Sequence, residues 1–312
     1  MDVPTAQELA AYTIAQQHPV TADWIRPQER LRLLAAEHGL DVRMATDLDF
    51  AGARRDQFAP ELPTEYLLNS WERIADDLDV MVSMRWEGGA PDRPFVDACA
   101  LSRPLGPDED VLLARAAVRR YGRLGPRYVR WWSREIAGHY PGTLQDKRFL
   151  AAPLRKLVDA DVPAMLTLMT CDDLDHYDDA RDAYAAIDHE HPAHREQATL
   201  EAKDDLEELH RAGTLFDVRF NGEWIGYLGA QRGHKLGLAG YKIAELVLAR
   251  HRRGRGLGRH LTTLLARELL ARGEPQDAVI IGTIHNDNLG ARRAAELSGR
   301  QDIGGWVRLQ LT

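Results

Sequence analysis

The residues best placed to do chemistry lie in one stretch, Glu245-Leu-Val-Leu-Ala-Arg-His-Arg-Arg-Gly-Arg-Gly-Leu-Gly-Arg-His-Leu261. A carboxylate, Glu245, precedes a short apolar run, Leu246, Val247 and Leu248. The turn Arg253, Gly254, Arg255, Gly256, Leu257 and Gly258 follows, and Arg259 and His260 lead out of it. From Leu261, apolar residues return at Leu264, Leu265, Leu269 and Leu270, the spacing of one helix face, and Gly273 supplies a stop. A strand that passes through glycines into a helix aims several backbone N–H groups at one point. Glycine lets a ligand approach the backbone, and the helix dipole favours negative charge there. With arginines on both sides, the pattern suits a phosphorylated ligand. A dinucleotide fingerprint is the competing reading, but Gly254, Gly256 and Gly258 lack its G-x-G-x-x-G spacing.

Two other segments carry reactive side chains. Asp172 to His194 is the most biased, with Asp175, His176, Asp188, His189, His191 and His194 among its ligand-capable groups. His and carboxylate can hold a metal, but no His pair at i, i+4 with a Glu gives a recognised spacing. No metal site is assigned, and a solvated polar helix is the commoner explanation of such a run. Arg115, Arg119, Arg120, Arg123, Arg127, Arg130 and Arg134 interleave with Tyr121, Tyr128, Trp131 and Trp132. Basic residues among aromatics can grip single-stranded nucleic acid. The net charge of -8 argues against that use and favours a surface face.

The frame that must position these groups is bounded by length and composition. At 312 residues the chain is too long for one small core, so two domains are expected. Hydrophobic residues at 44% and charged residues at 28% exclude wholesale disorder. Cys99 and Cys171 allow one bridge at most and no disulfide framework. No stretch approaches the roughly 18 apolar residues of a membrane span. The N-terminal residues lack the basic and apolar regions of a signal peptide, so a cytoplasmic location is expected.

Along the chain, residues 1 to about 78 read as mostly helical. Val80, Val82, Met84 and Trp86 then alternate as on a strand, and Phe95 to Leu101 is a second strand. Pro107 to Asp110 is an acidic helix start, Val111 to Tyr121 carries a helical pattern, and Tyr128 to Trp132 is a third strand. After a junction at 138–145, Phe149 to Leu157 is expected as a strand and Asp161 as the cap of a helix with Pro163 in its first turn. Gln197 to Arg211 reads as a polar helix. Phe216 to Phe220 and Trp224 to Leu228 flank Asn221-Gly222, a strong hairpin signal. Tyr241 to Leu248, Ala278 to Ile284 and Trp306 to Leu311 complete the strands, with a helix over Leu289 to Leu297. Both halves contain the order strand, turn, strand, helix, strand.

With this context the second half resembles the GNAT superfamily of acyl-CoA-dependent N-acyltransferases. The likeness rests on the stretch around Arg253 to Gly258 and on Ile-His-Asn-Asp-Asn-Leu-Gly-Ala-Arg-Arg-Ala-Ala-Glu-Leu-Ser-Gly299, and covers about Phe149 to Leu311. It implies an α/β (α+β) fold with a mixed, largely antiparallel sheet flanked by helices. It implies that Arg253 to Gly258 hold the coenzyme A pyrophosphate, with Arg259 and His260 at the helix start. Leu246, Val247 and Leu248 would pair with the pantetheine arm, the thioester carbonyl lying against the amide of Leu248. Asn288 matches a position that often contacts that arm. A strand carboxylate near the acyl end, here Glu245, is the candidate general base, because an amine must lose a proton to attack a thioester. The bland alternative is a sheet residue salt-bridged in solvent. An acidic wall between the first two helices would favour a cationic acceptor. The family often keeps a tyrosine in the last helix as general acid; that position is Ala295, and Arg300 replaces the usual aromatic after the glycine. No general acid is assigned.

The resulting division is 1–145, which the repeated element order suggests as a degenerate GNAT-like copy without a cofactor motif, and 146–312, expected as a catalytic domain. The expected function is acetyl transfer from acetyl-CoA to a primary amine of a small molecule or peptide, with no membrane or nucleic-acid partner. An acyl-CoA-sensing module is the competing class. Either one predicts that coenzyme A at a hundredfold excess over Kd stabilises the protein by about 2.7 kcal/mol. A thermal shift assay reads this, and no shift at saturation overturns both.

Overall fold

A computed structural model describes residues 2–311, which divide into two compact units. The first takes residues up to Lys147 together with Ile303 onward; the second is Arg148–Asp302. No helix among the described residues is long and apolar enough to cross a membrane.

The first unit opens with α1 (Ala6–Gln16), α2 (Pro27–Thr46) and α3 (Leu48–Phe58). A reciprocal capping box between Thr5 and Glu8 starts α1, and Pro27 occupies the first turn of α2. The strands β1 (Ser70–Ala75), β2 (Leu78–Trp86) and β3 (Pro94–Leu101) follow, then α4 (Asp110–Tyr121), β4 (Tyr128–Ser133) and the start of β5 (Leu144–Pro153). β1, β2 and β3 are antiparallel neighbours, and β3 runs parallel to β4. β1 lies in a stretch expected to be helical. Its hairpin with β2 gives Trp71 a buried sheet position that the local sequence does not announce. β2 is buried on both faces, Met81 and Ser83 as well as Val80, Val82 and Met84.

In the second unit β5 is followed by β6 (Leu166–Thr170), α5 (Tyr177–Glu190), α6 (Lys203–Arg211), β7 (Leu215–Phe220), β8 (Glu223–Lys235) and β9 (Leu238–Leu248). Then come α7 (Gly258–Ala271), β10 (Val279–His285), α8 (Leu289–Leu297) and β11 (Gln301–Gln310). The strand order is β5-β10-β9-β8-β7-β6. β6 to β9 are antiparallel neighbours and β10 is parallel to β9. Asn221 (φ 53°) and Gly222 (φ 80°) turn the β7–β8 hairpin, as their dipeptide predicts. The fold is therefore α/β with a mixed, mostly antiparallel sheet. One core, with Leu261, Leu265 and Leu269, packs α7 on the sheet; another, with Ala180, Ala183, Leu206 and Leu209, packs α5 and α6.

Three expectations need correction. Residues 161–165 form no helix, because Leu166–Thr170 pairs with β7 instead and the ladder overrides the local cap signal. The strand expected over Phe149 to Leu157 ends at Pro153 and turns into a short 3-10 segment, Leu154–Lys156. The last ten residues were expected in the second domain, yet from Ile303 they belong to the first unit. There Gly305–Gln310 pairs antiparallel with β4, and Trp306 packs edge-on against Trp132 at 5.6 Å between ring centroids. Cys99 and Cys171 are both free thiols.

Gly240 starts the parallel contact of β9 with β10. Its φ of 148° is unfavourable for a side chain, and a Cβ there would run into the backbone of Val279. Gly240→Ala should therefore lower stability by about 1–3 kcal/mol, measured by urea unfolding; an unchanged midpoint would contradict this packing.

Candidate active site

The parallel ladder joins only Gly240–Lys242 to Val279–Ile281. Beyond Lys242, β9 keeps its antiparallel partner β8 as far as Leu248, while the β10 side of the strand has no further ladder among the described residues. Gly229 faces Glu245 and Ala230 faces Ile243, so Ala244 is an extra, bulged residue. A bulge re-aims side chains and increases local twist. The divergence leaves backbone groups of β9 available to a ligand.

A cavity of about 500 Å³ lies along this part of β9. Its lining includes Leu246, Val247 and Leu248 of the strand, Arg253, Gly254, Gly256 and Leu257 of the turn, Gly258 and Arg259 of α7, and Asn288 before α8. Arg255 and His260, placed with these from sequence, do not line it. Gly254 and Gly256 are left-handed (φ 70° and 74°), with open space where a Cβ would stand. That shape fits an approaching phosphate group. Two nitrogens of Arg253 are held by the protein: Nε donates to the Leu248 carbonyl at 2.7 Å and Nη2 to the Ala183 carbonyl at 2.6 Å, while Nη1 is buried without a hydrogen-bond partner among the described residues. Arg253 thus ties the strand end to α5. Asn288 caps α8, its Oδ1 accepting from the Ala291 amide at 3.1 Å.

Glu245 is not a solvent-facing sheet residue; it is 1% exposed. The Tyr184 hydroxyl donates to its Oε1 at 2.8 Å and the Glu201 amide to its Oε2 at 3.0 Å. Burial pushes its carboxyl up to about 7, the two donors pull it back, and the nearby Glu201 carboxylate adds to the rise. Tyr184 is itself held strongly protonated by burial and by Glu245. Ala244 and Glu201 line a second cavity of about 530 Å³, whose wall also carries Asp205, Glu208, Lys242 and an Arg232–Glu274 ion pair at 2.9 Å. Glu245 thus sits between the two cavities, its chain neighbours Ala244 and Leu246 lining one each.

Sequence reasoning missed Tyr184 and Ile187 and read His194 only as part of a biased polar run; all three close the first cavity from the α5 side. Tyr184 and Ile187, three apart in an acidic helix, were the available clue to an inward face. Ala295 is fully buried and offers no proton. Arg300 is buried as well. Its guanidinium lies over Gly282, and burial lowers it to about 10.

The first unit contains a comparable turn with different contents. Its β2–β3 ladder has a register shift at Cys99, so Ala100 stands opposite Met81 as Glu245 stands opposite Gly229. In the loop after β3, the Gly106 amide and both ends of the Arg103 guanidinium are bound to Glu109, at 2.7 Å in each case. The anion-binding donors there are taken by the chain's own carboxylate. The arginines of this unit are also engaged: Arg130 lies over Phe95 and Trp306 and pairs with Asp97, and Arg119 pairs with Glu72.

Residues 177–299 match the model of the Acetyltransferase (GNAT) family. They form a GNAT domain. The match covers α5 through α8, hence the divergent strands, the glycine turn and Glu245. GNAT family members are acetyltransferases that generally use acyl-CoA. A search among curated proteins gives no match. Among solved structures, the chain is similar to a GNAT-family acetyltransferase from Colwellia psychrerythraea (11% identity, 85% of this chain and 95% of that one, TM-score 0.48). It is also similar to a tandem GNAT protein from the clavulanic acid biosynthesis pathway (16%, 86% and 97%, TM-score 0.42). A GCN5-related N-acetyltransferase from Kribbella flavida is a third (12%, 86% and 96%, TM-score 0.40). The assignment rests on the family match, not on these distant likenesses.

In the GNAT domain, the raised carboxyl of Glu245 has a thermodynamic consequence. The folded state holds this proton up to about pH 7, whereas an unfolded glutamate loses it near its ordinary value of 4.5. Stability from this group is therefore complete below about pH 4.5 and is lost as pH rises through about 7, by at most on the order of 3 kcal/mol. Wild type should lose stability across that window in urea titrations, and Glu245→Gln should flatten the loss. Parallel pH profiles would refute the buried carboxyl.

Proposed function

We propose that this chain transfers an acetyl group from acetyl-CoA to a primary amine of a small molecule or peptide by direct attack, with Glu245 as general base. The observation that carries the reading is Glu245 itself, a buried carboxyl poised near neutrality between the two cavities. A base works best when its pKa lies near the working pH. In this reading the cavity along Leu246 to Leu248 takes the donor. The amides of Arg253 to Gly258 receive the pyrophosphate, with Arg259 beside it and Asn288 near the arm. The cavity walled by Glu201, Asp205 and Glu208 takes the acceptor, and its carboxylates favour a cationic amine. The amine gives its proton to Glu245, directly or through one water, as its nitrogen bonds to the thioester carbon and the sulfur leaves.

Residues 1–145 are read as a degenerate GNAT-like copy, supported by Ala100 in the place of a base and by Glu109 filling its turn. A second reading, an acyl-CoA-binding module without turnover, is favoured by one observation, the buried Ala295 where an acid is usual.

Glu245→Gln should lower kcat at neutral pH by roughly 10²- to 10⁴-fold while leaving coenzyme A binding within a few-fold. Free thiol release from acetyl-CoA with a panel of amines measures the first, and thermal shift the second. Equal activity of wild type and variant removes Glu245 from the chemistry. Binding with no turnover on any amine selects the sensing module.

A further inference from the structure

Between α5 and α6 the chain folds back over the donor cavity through a short 3-10 segment that carries His194. His194 is 8% exposed, and its Nδ1 faces Asp188 Oδ1 at 2.8 Å. A carboxylate at that distance orients the imidazole, with its Nδ1 proton toward the acid. The other nitrogen, Nε2, has no hydrogen-bond partner among the described residues. The ring lines the cavity with Leu246, Val247 and Leu248, and lies 5.8 Å from the ring of Tyr184, whose hydroxyl is on Glu245.

Thioester aminolysis needs two proton movements, one from the attacking nitrogen and one onto the departing sulfur. Other polar side chains nearby are already committed. The Tyr184 proton is given to Glu245, Arg253 donates to two carbonyls, and Asn288 caps a helix. Ala295 has none to give.

We propose that His194, oriented by Asp188, is the acid that protonates the coenzyme A sulfur. This rests on the coenzyme A reading of the cavity. As the nitrogen–carbon bond forms and the carbon–sulfur bond breaks, the amine proton passes to Glu245 and the Nε2 proton passes to sulfur, giving amide and free thiol. Glu245 then releases its proton to water and His194 takes one back, so no net proton is gained or lost by the enzyme. The charged and titratable groups around His194 and its cavity are Asp188 and Tyr184 of α5, Arg195 beside Asp188, Glu245 behind Tyr184, and Arg252, Arg253, Arg259 and Arg293 in the cavity wall.

The test needs no acceptor. Bound to the full-length protein, the thiol of free coenzyme A should titrate at least about one pH unit below its value in solution, because an imidazolium at the sulfur stabilises the thiolate. Thiolate absorbance, or the pH dependence of coenzyme A alkylation followed by mass spectrometry, reads this directly. His194→Gln should abolish the shift, Asp188→Asn should reduce it, and Glu245→Gln should leave it in place. If His194→Gln does not fold, the Asp188→Asn titration decides. Identical titration in wild type and variants, with coenzyme A bound, overturns the proposal while sparing the cavity assignment. Failure of coenzyme A to bind overturns both. An unshifted thiol in Glu245→Gln alone would move the effect to Glu245 and also reject it.

Discussion

The parallel ladder between β9 and β10 stops after Lys242, and most of what the second unit can do depends on that stop. Gly240 lets the strands approach closely where they pair, and the bulge at Ala244 turns β9 away soon after. In a continuous sheet the backbone groups of Leu246 to Leu248 would be spent on a neighbouring strand. The divergence frees them for a ligand. It also places the glycine turn and the start of α7 at the end of the same opening.

The second consequence is electrostatic. A carboxylate at the bulge cannot point to solvent, because α5 and the segment before α6 close over it. Burial strips its charge of solvation that the two donors only partly replace, so it comes to rest near neutrality. The same closure brings the acidic segment inward at Tyr184 and His194, while most of its other carboxylates stay in water. A run that is mainly a solvated helix face thus turns two of its side chains toward the cavity.

The first unit repeats the order of hairpin, helix and parallel strand, and its β3–β4 ladder is equally short, Val96–Ala98 against Val129–Trp131. Yet Ala100 stands at the register position that Glu245 holds in the second unit, and the Glu109 carboxylate occupies the turn. Shared topology does not carry a shared site: a fold supplies openings, and side chains decide whether they hold anything.

The sequence by itself determined the glycine turn, the amphipathic α7, the Asn221-Gly222 hairpin and the bounds of α8, because each is written in local spacing or in backbone preferences of single residues. It also marked Glu245 and the cavity-lining residues from Leu246 to Arg259, since they are contiguous in the chain. Tertiary structure alone decided the rest. The strand Leu166–Thr170 exists because β7 offers a ladder, which overrules the cap at Asp161. The closing strand joins the first unit because β4 and Trp132 provide its partners. Tyr184 and His194 reach the cavity because α5 packs across the sheet. These outcomes depend on pairing and burial between residues far apart in the chain, and spacing along a sequence carries no record of them.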